Sequence, residues 1–180
     1  MAIVYDLFSA VGGGTFKEFK KFYQGEINQV NKYSKLNLLQ MAFTNDEQPE
    51  EKMKIIEFLL RKGIDINYQD KKDQQNALHI FYFCVWRPTV EYENKITNLL
   101  IEHGINVNQM DKYNATPLMY AITLNKLTTM ENKQMYQTLL TAGSDYNLKD
   151  KFGKSTLDYA KEYFWRNDFI DIVDEFEKQK

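Results

Sequence analysis

The chain reads as an all-α solenoid of stacked helix pairs, and three sets of evenly spaced residues predict it. Gly63, Gly104 and Gly143 stand 41 and 39 residues apart, and Asp70, Asp111 and Asp150 keep the same two intervals. Leu39, Leu78, Leu118 and Leu157 follow at 39, 40 and 39. Three markers sharing one period establish a repeat before any local structure is considered.

Each element of the unit follows from its residues. A leucine opens an apolar run, "LHIFYFCVW" or "LMYAITLNK", which predicts an inner helix. An amphipathic run, "NKITNLLIEHG" or "NKQMYQTLLTAG", predicts an outer helix ended by glycine, the residue that accepts a left-handed backbone. The next residues, "INVNQM" or "SDYNLK", are extended, and an Asp then opens a turn, "DKYNA" or "DKFGK", with Asn114 or Gly153 at positive φ. A unit of this kind cannot bury its own apolar face, so the units must stack.

The two ends carry variants of the same order. "LFSAVGGGTFKEFKKFYQG" gives helix, turn, helix and a terminal Gly25, with Phe16, Phe19, Phe22 and Tyr23 on one helical face. Its "VGGGTFK" is not a phosphate cradle, because it lacks the four-residue spacing between glycines and the Lys-Ser/Thr pair of such a loop. "TLDYAKEYFWRNDFIDIVDEFEKQK" gives a last helix pair with a charged outer face, as a terminal cap requires.

Composition bounds the function. A chain of 180 residues, 43% hydrophobic and 27% charged, suits one soluble domain with an ordinary core. A net charge of -2 argues against a nucleic-acid binder. The single cysteine, Cys84, allows no internal disulfide and points to the reducing cytoplasm. The first ten residues, "MAIVYDLFSA", have no basic start and carry Asp6 in a short apolar run, so they make a poor signal peptide, and no stretch approaches the ~18 apolar residues of a membrane span. The abundance of Lys, Asn, Ile, Tyr and Phe beside only three Arg suggests an AT-rich genome.

The segments "DKYNATPLMYAI" with "LLTAGSDYN", "NALH" with "LLIEHGINVN", and "DKFGKSTLDYA" resemble the ankyrin repeat over residues 34 to 176. The resemblance implies an ankyrin-repeat solenoid in one domain, 1–180. Residues 1–33 would form an N-terminal cap, 34–69, 70–110 and 111–149 lengthened repeats, and 150–180 a C-terminal cap. Gly14 would hold the short helix-helix turn of the first unit. An ordinary ankyrin unit has ~33 residues, and here the excess falls between inner and outer helices, at 45–51, 87–94 and 125–132. Phe81-Tyr82 and Ala121-Ile122 stand where the family has a pair of alanines, which predicts inner helices set farther apart or packed anew.

Catalytic and metal chemistry find no constellation. His79 falls on the His of the family's T-P-L-H turn, a structural place, and His103 lies in the last turn before Gly104, where a cation suits the helix dipole. Neither G-x-S-x-G nor H-E-x-x-H occurs, and Cys84 is not at ligand spacing with the histidines. The expectation is a protein that is not an enzyme and holds no cofactor or metal.

Surface is what remains. The family's variable contact positions, carried over residue by residue, fall around the turns on Gln69, Lys71, Lys72, Gln75, Met110, Lys112, Tyr113, Lys149, Lys151, Phe152 and Lys154, and along the inner helices on Phe83, Thr123, Leu124, Glu162 and Tyr163. Tyr113 and Phe152 stand out, because a large ring at a turn tip has few neighbours to cover it. Trp86 and Tyr92 raise the same question in the second insertion. Size, repeat length and composition resemble small ankyrin-type immunity proteins encoded beside bacterial toxins, which implies a cytoplasmic monomer that binds a toxin's catalytic domain. A host-directed or viral ankyrin adaptor that binds a host protein is the alternative, and neither role involves nucleic acid or membrane.

Overall fold

The computed structural model describes residues 3–45, 47–83 and 89–179. Its helices alternate between an inner and an outer row. The inner row is α1 (Leu7–Gly13), α3 (Leu38–Ala42), α5 (Ala77–Phe83), α7 (Pro117–Leu124) and α9 (Thr156–Glu162). The outer row is α2 (Phe16–Phe22), α4 (Pro49–Arg61), α6 (Val90–Glu102), α8 (Lys133–Thr141) and α10 (Asp168–Glu177). Each inner helix packs on the next, and α2 on α4, α6 on α8 and α8 on α10 do the same outside, so the molecule is the expected helical solenoid. No strand occurs among the described residues; a lone antiparallel bridge joins Val30 to Asn37 at the first turn.

Local chemistry explains where each helix begins and ends. Side chains of Asn37, Asn76, Thr116 and Ser155 accept the backbone N–H three residues on, capping four inner helices one after another. Leu39, Leu78 and Leu118, two positions past those caps, are wholly buried. At the other end of the unit, Gly63, Gly104 and Gly143 adopt φ of +75°, +84° and +90°, and the N–H after each reaches back to Leu59, Leu100 and Leu139. Nothing lies within 4 Å of a Cβ added at these three glycines, so backbone sign and not space selects them. Gly14 is the opposite case. Its φ is ordinary, but a Cβ there would stand 2.8 Å from the Ala10 carbonyl oxygen and 3.1 Å from Val4 Cγ2. Close approach at a helix-helix turn is therefore what Gly14 serves.

The insertions take two forms. In the second unit the extra residues run into α4, and in the third into α6, giving two outer helices of 13 residues each. In the fourth unit they form a separate turn over 125–132 before α8. Inner-row crowding at Phe81 and Tyr82 is met by repacking. Phe43 lies against Phe81 with ring centroids 5.1 Å apart, and the Tyr82 hydroxyl meets Thr97 Oγ1 at 2.8 Å, with both aromatic residues buried. Tyr92 is half-buried and packs toward Phe81, whereas Cys84, Trp86 and Arg87 lie outside the described residues.

Polar side chains cross every seam between units. Asn67 donates to the Gly104 carbonyl and accepts the Asn106 N–H, at 3.0 and 2.7 Å. Asn108 repeats this on Gly143 and Asp145, both at 2.8 Å. Deeper in the seam, Gln40 accepts the Asn37 N–H and donates to the Gln75 carbonyl at 2.7 Å. His79 occupies the same place one unit later: Nδ1 accepts the Asn76 N–H, and Nε2–H donates to the Ala115 carbonyl at 3.0 Å. Burial pushes the His79 pKa from its ordinary 6.5 down to about 4.

Two outcomes are expected. Because the folded state holds His79 neutral, its contribution is complete above pH 6.5 and is lost as pH falls through 6.5 toward 4, on the order of 3 kcal/mol in all. His79→Gln keeps both bonds, as Gln40 shows, and should remove that loss, measured as urea-unfolding free energy against pH. Asn67→Ala and Asn108→Ala should each cost about 1–3 kcal/mol by the same measurement. Asn147→Ala, at the corresponding place after α8, where the exposed side chain makes no such bond to the α9–α10 pair among the described residues, should change stability by less than about 0.5 kcal/mol.

Candidate functional site

Four turn tips project along one edge of the solenoid, at 31–36, 69–75, 110–115 and 149–154. An Asx side chain shapes each. Asn31 Oδ1 accepts the N–H groups of Tyr33 and Ser34, and Asp70 Oδ1 those of Lys72 and Asp73. Asp111 Oδ1 accepts from Tyr113 and Ala115, and Asp150 Oδ1 from Phe152 and Lys154. The second carboxylate oxygens of Asp111 and Asp150 take the hydroxyls of Tyr120 and Tyr159, at 2.8 and 2.5 Å. The Tyr120 hydroxyl titrates well above its usual range, first because it is desolvated and second because it donates to Asp111. The turn aspartates are thus buried parts of the frame.

Neighbouring tips are joined through their backbones. The Lys112 N–H donates to the Asp73 carbonyl at 2.9 Å, and the Lys151 N–H to the Tyr113 carbonyl at 2.8 Å. The second, third and fourth tips thus share one continuous edge. The residue after each turn Asx is a lysine in all four units, Lys32, Lys71, Lys112 and Lys151, and the one after that is Tyr33, Lys72, Tyr113 or Phe152. Tyr33 is 81%, Tyr113 48% and Phe152 74% exposed, so the rings face solvent and do not lie buried under the next tip. Lys112 and Lys151 hold their ammonium groups 5.0 and 5.6 Å from the Tyr113 ring centroid.

Behind the tips, the inner helices line an open cavity of about 670 Å³. Lys72, Gln75, Phe83, Lys112 and Tyr113, five of the residues expected from sequence, converge on it. Gln75 Nε2 donates to the Tyr120 hydroxyl there, and Phe83 is 59% exposed beside it. Asp73 and Lys112 pair at 2.5 Å across its wall, and that carboxylate raises the Lys112 pKa. The other expected residues fall elsewhere. Gln69 is spent on the Met110 carbonyl, and Thr123 on the Met119 carbonyl within its own helix. Lys71, Lys149 and Lys151 are exposed, and Met110 and Leu124 half-buried. Lys154 pairs with Glu162 at 2.7 Å, and Tyr163 stacks on Trp165 with centroids 5.1 Å apart at the C-terminal end of the inner row.

The first tip lies outside the aspartate period. Lys32, Tyr33 and Lys35 belong to the same edge, and Tyr33 lines the same cavity as Tyr113. The signal was present, since "NKYSKLN" parallels "DKYNATP", but Asn31 replaces the aspartate that marked the other units. Phe164 and Trp165, 77% and 55% exposed, also escaped notice. His79 lies in α5 and His103 just past the end of α6, each bonded to backbone of its surroundings.

A family model described as ankyrin repeats, in three copies, matches residues 50–150. "Ankyrin repeat protein B18" of vaccinia virus (strain Ankara) is 31% identical over 109 residues, covering 55% of this chain and 18% of that protein. "Ankyrin repeat and SOCS box protein 6" of Homo sapiens is 30% identical over 146 residues, covering 80% of this chain and 28% of that protein. The chain therefore spans less than a third of the length of these relatives. The period, the solenoid and the family model agree, and the chain belongs to the ankyrin-repeat family.

Proposed function

We propose that the chain is a non-catalytic scaffold that grips a protein partner along its tip edge and the cavity behind it. The observation that carries this is the row of exposed rings, Tyr33, Tyr113 and Phe152 with Phe83 behind them, on a frame that does not need them for its own core. Exposed aromatics fixed on rigid elements are what protein interfaces use as anchors. Non-catalytic action fits the buried aspartates and the structural His79, which leave the edge to side chains suited to contact and not to proton transfer.

An adaptor role toward a host protein, viral or host-directed, draws support from the relatives, which are poxviral and mammalian ankyrin proteins. The toxin-neutralising role suggested by size and composition draws none from them. We place the adaptor in the cytoplasm, in keeping with one cysteine in 180 residues; no helix among the described residues is long and apolar enough to cross a membrane.

Tyr113→Ala and Phe152→Ala should each leave unfolding free energy within about 0.5 kcal/mol of the parent, because both rings are exposed. Partners captured from eukaryotic cytosol should lose more than ~1 kcal/mol of affinity to each variant in titration calorimetry. Equal capture and equal affinity with the double variant would remove the tip edge from the interface.

A further inference from the structure

The tip edge carries a charge opposite to that of the chain. Its four tips hold eight lysines and four aspartates, a net +4 on a protein whose total is -2. The aspartates add little outward charge. Asp70, Asp111 and Asp150 are at most 8% exposed and point back at their own turn N–H groups, and Asp73 is paired to Lys112. Lys32, Lys35, Lys71, Lys72 and Lys151 are exposed, and no ion pair joins them to a carboxylate among the described residues.

The tips are also unevenly closed. Backbone bonds join the second tip to the third and the third to the fourth, while the first and second enclose a notch of about 370 Å³. That notch is lined by Lys32, Lys35 and Lys71 together with Val30, Asn31 and Tyr68, so three lysines and no acidic residue line it. From the notch, the exposed rings Tyr33, Tyr113 and Phe152 continue along the edge.

We propose, on the basis of the scaffold function above, that the edge takes an extended acidic segment of its protein partner, with one carboxylate in the notch and apolar side chains on the rings. Spacing sharpens this. Taking a backbone-paired tip as two chains wide, the lysines of the joined tips stand roughly 10 Å apart, about three residues of an extended chain. Carboxylates at every third position then face the lysine column. The position opposite Lys112 matters least, because Asp73 already neutralises that lysine. A nucleic-acid strand fits less well, since the edge offers a few spaced lysines on a chain of net negative charge.

The test uses the whole chain and fluorescent 12-residue peptides in which every third residue is Glu, Gln or Lys and the others are drawn from Phe, Leu and Ser, read by anisotropy. The Glu peptide should bind best, weakening at least ~10-fold between 50 and 300 mM salt, as exposed charge pairs do. Lys32→Glu/Lys71→Glu should weaken it at least ~10-fold, from about fivefold per lost lysine contact. Lys62→Glu/Lys178→Glu, an equal change of charge on the outer side, should shift it less than twofold, and the melting temperatures of both double variants should confirm folding. Preference for the Gln or Lys peptide, tighter binding of a 12-nucleotide oligothymidylate, no binding of the Glu peptide at 1 mM, or indifference to Lys32→Glu/Lys71→Glu would each overturn the acidic-segment proposal. The scaffold function stands or falls separately, on whether the captured partner depends on Tyr113 and Phe152.

Discussion

Everything in this structure depends on the seam between one helix pair and the next. A single pair of short helices exposes as much apolar surface as it covers, so order comes only when neighbours close on each other. Burial drives that closure but does not fix its register, because apolar faces slide. Register comes from the side chains that reach across: Asn67 and Asn108 grip both the carbonyl and the N–H of the next unit's outer turn, while Gln40 and His79 bond from the inner helix to the next tip. Two bonds at separate depths leave one alignment. The second, third and fourth tips then meet backbone to backbone, which fixes the spacing of Tyr113 and Phe152.

Much of this was legible in the sequence, and for a physical reason. Gly63, Gly104 and Gly143 mark a backbone sign that other residues resist, and Asp70, Asp111 and Asp150 mark a turn that needs an acceptor at one place, so both leave a strict period. The first tip was hidden because an asparagine makes the same turn as an aspartate: Asn31 supplies one acceptor oxygen, which is all that the turn N–H groups require. The second carboxylate oxygen takes the Tyr120 and Tyr159 hydroxyls in two tips and the Gln75 N–H in another.

Site chemistry was less legible, because pairing between units depends on which neighbours the seam brings together. Lys71 and Lys112 occupy the same turn position and read alike in sequence. In the fold Lys112 meets Asp73, which belongs to the preceding tip, while Lys71 faces the lysines of the first. A charge count along the chain cannot separate a neutralised lysine from an available one. Only the stacking does.

The lengthened repeats place their extra residues away from the tip edge. The inner helices α3, α5 and α7 each begin at a tip and lead to an insertion, so the extra residues accumulate at the far end from the rings. There they close over helix C-termini, which carry unpaired carbonyls and partial negative charge. Lys52, 1% exposed, donates to the carbonyls of Val11 and Gly12 at the end of α1, where Gln48 adds a bond to Gly13. Arg166, 3% exposed, donates to Asn125 and Leu127 just past α7, and Asn125 in turn donates to Glu93 from the preceding insertion at 2.9 Å. Lys52 sits in a run, "EEKMK", that looks like an ordinary solvated face, so sequence gave no sign of it. At the insertion edge, then, buried cations lie against the carbonyls of helix ends, while the tip edge is shaped by Asx turns.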